Sequence, residues 1–140
     1  MRVKNLFLLV LLGILLSACG DGELQISDAW ARPGLASNNS AIFFTIENPS
    51  KDSERLLGVR CNAAGSAEVH RSFMEDEVMK MELQEYVGIP PKSQLSFEPG
   101  GYHVMLIDLK SDLNEGDLVN LVLEFENTGD VQLQVEVQER

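Results

Sequence analysis

The chain has 140 residues, with 22 acidic and 11 basic side chains and a formal net charge of −11 at neutral pH. That length supports one domain with its own hydrophobic core and no need of disulfides. The negative excess repels nucleic-acid phosphates and anionic headgroups, so it excludes nucleic acid as a partner and leaves any membrane contact to a lipid.

At the N-terminus, Arg2 and Lys4 precede an apolar run at residues 6–16. The run is too short to span a bilayer, which takes roughly 20 residues, and it suits the apolar region of a secretory signal. It ends in Leu16-Ser17-Ala18-Cys19, which resembles a bacterial lipobox. The expectation is a signal peptide at residues 1–18, cleaved before a lipidated Cys19, with residues 19–23 as the lipidated cysteine and a short tether. Several acyl chains on Cys19 would anchor stably where one would not. The expected location is therefore the periplasm or cell envelope, held to a membrane through the Cys19 lipid. Cys61 then lacks an intramolecular partner, and is either a small buried hydrophobe or a reactive thiol.

From residue 24 to 140 the sequence falls into short runs separated by turn chemistry, the pattern of an all-β sandwich or barrel. Strands are predicted at residues 24–31, 41–47, 55–59, 67–73, 78–85, 94–97 and 102–110. Two more follow, where Val119, Leu121, Leu123 and Phe125, then Val131, Leu133, Val135 and Val137, alternate with their neighbours. Such period-two alternation marks strands with one wet face. Asn48-Pro49, Pro90-Pro91, Pro99-Gly100-Gly101 and Asn114-Glu115-Gly116-Asp117 separate the runs, and Asn127-Thr128-Gly129-Asp130 reads as a hairpin turn. No run holds a helical period. The prediction is a single Greek-key β-sandwich or barrel.

The residues that could carry chemistry are confined to one stretch. The chain has two histidines, His70 and His103, and beyond Met1 four methionines, Met74, Met79, Met81 and Met105. His70 shares the polar parity of its strand with Glu68 and Ser72. His103 and Met105 share a strand face, so that two donors point the same way about 7 Å apart and could converge on one ion at a barrel rim. Thioethers are soft neutral ligands that suit Cu(I), and imidazole suits copper as well. Zinc would favour cysteine, histidine and carboxylate, and calcium oxygen. Against this, methionine at alternating positions is often core filler; Met79 and Met81 share parity with Leu83, and Met105 with Ile107. Spacing alone leaves both readings open.

The segment resembles the periplasmic copper chaperone family PCu(A)C. The family pattern, a histidine, ten residues, a methionine, twenty-one residues and H-x-M, falls on His70, Met81, His103 and Met105. Val78-Met79-Lys80-Met81 is similar to the family's V-M-x-M, and Pro99-Gly100-Gly101-Tyr102-His103-Val104-Met105-Leu106 to its P-G-G-Y-H-x-M-L. Asp28-Ala29-Trp30-Ala31-Arg32 and the stretch at 41–48 also look like family sequence. The resemblance implies a cupredoxin-like β-barrel with Cu(I) held near its surface by His70 and His103 nitrogens and Met81 and Met105 sulfurs. It also implies copper delivery to the dinuclear centre of cytochrome c oxidase, with subunit II or a Sco-type protein as acceptor. Met79 matches the family but is carried as a neighbour.

The alternatives are copper buffering without a dedicated acceptor and a structural β-sandwich lipoprotein whose methionines are core. Neither G-x-S-x-G nor H-E-x-x-H occurs, so the sequence does not point to an enzyme. Cys61 lies away from the strand that carries His103 and Met105, which argues against a blue-copper site with its cysteine thiolate.

Overall fold

The computed structural model describes residues 22–140, and the expected signal peptide and Cys19 lie outside them. Alternation does what it predicts. Ten strands form: β1 (Gln25–Ala31), β2 (Ser40–Asn48), β3 (Glu54–Cys61), β4 (Ala64–Glu75), β5 (Val78–Leu83), β6 (Val87–Ile89), β7 (Ser93–Phe97), β8 (Tyr102–Leu109), β9 (Leu118–Phe125) and β10 (Gly129–Val137). The described residues contain no helix. Nine strands were legible in advance; β6, three residues between turns, is too short to show a period. β4 is the longest and extends beyond its predicted ends.

The strands join one sheet in the order β5-β4-β8-β7-β2-β1-β10-β9-β3-β6, and β8 also pairs with β2. β7 and β8 share the same edge of β2: β8 takes Ser40–Ile42 and β7 takes Phe44–Asn48. The sheet folds over so that β3 meets β4 and β6 meets β7. Between the two halves lie Ile42, Phe44, Ile46, Val104 and Leu106 from one side and Leu56, Leu121, Leu123 and Val135 from the other, all buried. The result is the all-β, cupredoxin-like sandwich expected from the sequence.

A bulge in β1 bears on everything that follows. The β1–β2 register shifts between Ser27 and Trp30, where Asp28 adopts a left-handed φ of 52°. The extra residue switches parity. Ile26 and Ala31 pack on the main core, whereas Trp30 turns to the opposite face and packs on Phe43 at a centroid distance of 4.7 Å. Arg140 pairs with Asp28 at 3.0 Å and lies over the Trp30 ring at 5.2 Å.

At the far end of the molecule, buried Glu54 ties the β9–β10 turn to β3. Its carboxylate accepts hydrogen bonds from Arg55 N, Asn127 N and Nδ2, Thr128 N and Thr128 Oγ1, at 2.8–3.2 Å. Burial works to raise its pKa, but the backbone and hydroxyl donors of Arg55, Asn127 and Thr128 together outweigh it and hold the pKa below the ordinary value. A carboxyl whose folded-state pKa is depressed contributes stability in full above its unfolded pKa and loses it as pH falls through the folded one. Glu54→Gln, which turns an amide toward these donors, is expected to cost about 2 kcal/mol at neutral pH. In denaturant unfolding the wild type should lose its advantage over the variant at acid pH; equal midpoints at neutral pH would refute the tie.

Candidate metal centre

Register assembles the site. β4 and β8 pair antiparallel with Glu68 opposite Met105 and His70 opposite His103, while β4 and β5 set Ser72 opposite Met81. Directly opposed residues project to the same side of a sheet. The residues between them, Val69 and Val104, are buried in the core, so the two histidines and Met81 and Met105 all belong to the outward face. The structure brings the four predicted donors together, beside the start of β8. Met81, His103 and Met105 line a cleft of about 240 Å³. His70 stands next to it, with ring centroids 5.9 Å apart between the two histidines.

The core-filler reading fails for the methionines of β5 and its partner. Met74, Met79 and Met81 are 60%, 56% and 49% exposed, and all six residues of β5 are exposed. Met105 is half-buried beside buried His103. These side chains are largely or partly open to solvent, where packed core methionines would not be.

The turn before β8 explains why the sequence needs Pro99-Gly100-Gly101. Gly101 N donates to Glu98 O at 3.0 Å, and Gly100 adopts a φ of 85°, in the left-handed region that favours glycine. The turn delivers the Gly101 carbonyl to two donors, Ser72 N at 2.9 Å and His103 Nδ1 at 3.1 Å. A carbonyl can only accept, so Nδ1 carries the proton and Nε2 of the neutral ring carries the lone pair. Burial lowers the His103 pKa, opposed by the hydrogen bond to Gly101 and aided by the neighbouring His70 and Arg32. The ring is therefore neutral at neutral pH, the form that binds metal.

His70 is arranged the other way round. Its Nε2 meets the Glu68 carboxylate at 2.8 Å, which fixes a proton there, so that the neutral ring carries its lone pair on Nδ1. That Nδ1 is buried and has no hydrogen-bond partner. An orphaned buried acceptor costs about 1–3 kcal/mol, and a bound cation would satisfy it. The carboxylate–imidazole pairing is the support that metal-ligating histidines commonly have. Four neutral donors, two nitrogens and two thioethers, fit a soft monovalent ion. Among the described residues no three His, Cys, Asp or Glu side chains cluster to hold a metal, so a hard-ligand site is not offered in their place.

An aromatic floor supports His103. Phe43 lies 6.4 Å from its ring, Trp30 packs behind Phe43, and Arg32 covers Phe43 at 5.1 Å. Sequence reasoning placed Trp30 and Phe43 in strands but missed that they leave the main core; for Trp30 the reason is the β1 bulge, which has no signal in alternation. It also missed Glu68 as the His70 support, although their shared parity was visible. Cys61 is half-buried against the core, and burial raises its thiol pKa. It takes no part in the site, and the small-hydrophobe reading is the one the structure favours.

Comparison with known proteins places this geometry. A family model described as putative lipoprotein LpqE-like matches residues 24–137. The chain belongs to the LpqE-like family. Two curated relatives are the uncharacterized protein RP573 of Rickettsia prowazekii, 32% identical over 112 residues, and the putative lipoprotein Lxx21020 of Leifsonia xyli subsp. xyli, 30% identical over 103. These alignments take in 76% and 73% of this chain but only 62% and 61% of the relatives. Among solved structures, the apo PCuAC domain from PmoF1 is 25% identical, with a TM-score of 0.71 over 86% of this chain and 98% of that one. The copper-bound PCuAC domain from PmoF2 gives 24% and 0.71 over 86% and 97%. DR1885 from Deinococcus radiodurans, in its CuI form, gives 24% and 0.61 over 82% and 79%. The resemblance to PCu(A)C seen in the sequence is thereby borne out, and this LpqE-like chain has the fold of those domains.

One consequence of the site's electrostatics is measurable without metal. The His103 imidazole is expected to titrate below 6.5, the ordinary histidine value, as read from its ring carbon resonances. A midpoint above that value would contradict the neutral, Nδ1-protonated ring.

Proposed function

We propose that this LpqE-like protein carries one Cu(I) ion, held by His70, Met81, His103 and Met105, and gives it up to an acceptor. The observation that carries the reading is the paired arrangement of the histidines. Each has one nitrogen engaged by a fixed protein acceptor, Glu68 or the Gly101 carbonyl, so its other nitrogen keeps a lone pair. Reachable thioethers flank them. Two structural neighbours, a copper-bound PCuAC domain and CuI-DR1885, support the same cargo. A site open on one face allows a partner's ligands to replace these donors one at a time.

The same reading extends to setting and partner. The chain is a lipoprotein anchored through Cys19 in the periplasm or cell envelope, as the lipobox and the relatives' description support. Residues 1–18 are its cleaved signal and 24–140 its copper-carrying domain. The acceptor is the dinuclear copper centre of cytochrome c oxidase, on subunit II or through a Sco-type protein. The acidic surface would speed encounter with a basic acceptor patch more than it would tighten the complex.

Anaerobic Cu(I) titration against a competing chelator tests the ligand set. His70→Ala with His103→Ala, and Met81→Leu with Met105→Leu, are each expected to weaken binding by about a hundredfold or more, given that losing even a supporting contact costs 10–100-fold. Wild-type affinity in both double variants would sink the proposal.

Glu68→Gln should act through His70 without removing a donor, weakening Cu(I) binding by about tenfold. An unchanged affinity would show that the carboxylate does not support the ring.

A further inference from the structure

The β4–β5 hairpin holds two thioethers that the proposed site does not use. Met74 and Met79 oppose each other directly across the hairpin, two pairs nearer its turn than Ser72 and Met81. They share the outward face with Met81 and His70, since alternate residues of a strand and their opposed partners project to one side. Opposed side chains start about 5 Å apart, within reach of one shared ion for two flexible methionines. The step from this pair to Met81 is two residues along β5, about 7 Å.

Nothing in the packing accounts for the pair. Both side chains are more than half exposed, so neither fills the core. The turn that sets their register is costly: Asp76 and Glu77 take φ values of 50° and 65°, the left-handed geometry that two-residue hairpins usually give to asparagine and glycine. Here two carboxylates occupy it, with Glu75 beside them. Glu75 pairs with Lys80, which leaves Asp76 and Glu77 as the charges at the turn. The hairpin tip thus combines neutral soft donors with a local negative potential that draws cations.

We propose that Met74 and Met79 form a second, weaker Cu(I) site at the hairpin tip, where the ion lodges on its way to and from Met81. The identity of the ion rests on the copper reading above. Each transfer is a ligand exchange: one thioether–copper bond forms as another breaks. The copper stays Cu(I), and no electron or proton moves. Two thioethers without imidazole bind more weakly than the mixed set, so the pair fills second and empties first.

The test uses the unlipidated chain labelled at its methionine methyls, titrated with Ag(I) as a redox-inert stand-in and with Cu(I) under anaerobic conditions. The Met81 and Met105 methyls should shift with the first equivalent, and the Met74 and Met79 methyls with the second. The latter pair should still shift in His70→Ala/His103→Ala. Met74→Leu with Met79→Leu should leave first-equivalent affinity within about twofold and slow loading from a Cu(I)–chelator complex by about tenfold. Met74 and Met79 methyls that stay put while Met81 and Met105 move would overturn this proposal and leave the four-donor site standing. Loading at the wild-type rate in the leucine variant would overturn the transfer role. Silence at Met81 and Met105, with unperturbed imidazoles, would instead overturn the copper reading of the main site.

Discussion

The pairing of β4 with β8 is the constraint on which the rest of the molecule depends. It sets His70 opposite His103 while Val69 and Val104, one residue away, are sealed into the core. A slip of one residue in β4 would drive His70 and Glu68 into the apolar interior and expose Val69, and a slip in β8 would do the same to His103 and Val104. Core packing, a non-specific force, therefore fixes the histidine register as firmly as any dedicated contact could. The donors' precision is inherited from the opposite side of the same strands.

Two polar devices then refine what the register delivers. The Gly101 carbonyl and the Glu68 carboxylate each take one proton-bearing nitrogen, one held by a tight glycine turn and the other by a strand neighbour. Because they select opposite tautomers, the two rings present different nitrogens, Nδ1 from His70 and Nε2 from His103. The β1 bulge adds a rigid backing by sending Trp30 to the site's side of the sheet, where Phe43 already lies by the ordinary alternation of β2. The residues at the far end, around Glu54, stabilise the sandwich without touching this region.

Most of the fold was legible because alternation is a direct record of which face is wet. β9 and β10 show it most clearly, while β6 is too short to carry a period. The four donors were legible by composition and spacing, yet spacing could not separate ligand from filler. Met79 and Met81 share parity with Leu83, which looks like a core signature. The structure removes the filler reading for β5 in an unexpected way, since Leu83 is itself exposed: β5 is an outermost strand whose six residues are all exposed. Exposure of a whole strand depends on sheet order, a long-range property that local pattern does not encode. The same holds for Trp30, whose side of the sheet is decided by one extra residue at Asp28.

The position of β5 in the sheet also divides the donor set mechanically. His70, His103 and Met105 sit on strands with neighbours on both sides, whereas Met81 rides on a hairpin arm supported by β4 alone. Segments with few buried contacts open locally at far lower cost than the global transition. The arm can therefore lift one sulfur away while both imidazoles and every core side chain keep their places. Under the proposed copper reading, release would begin by bending at this margin, and the interior need never take part.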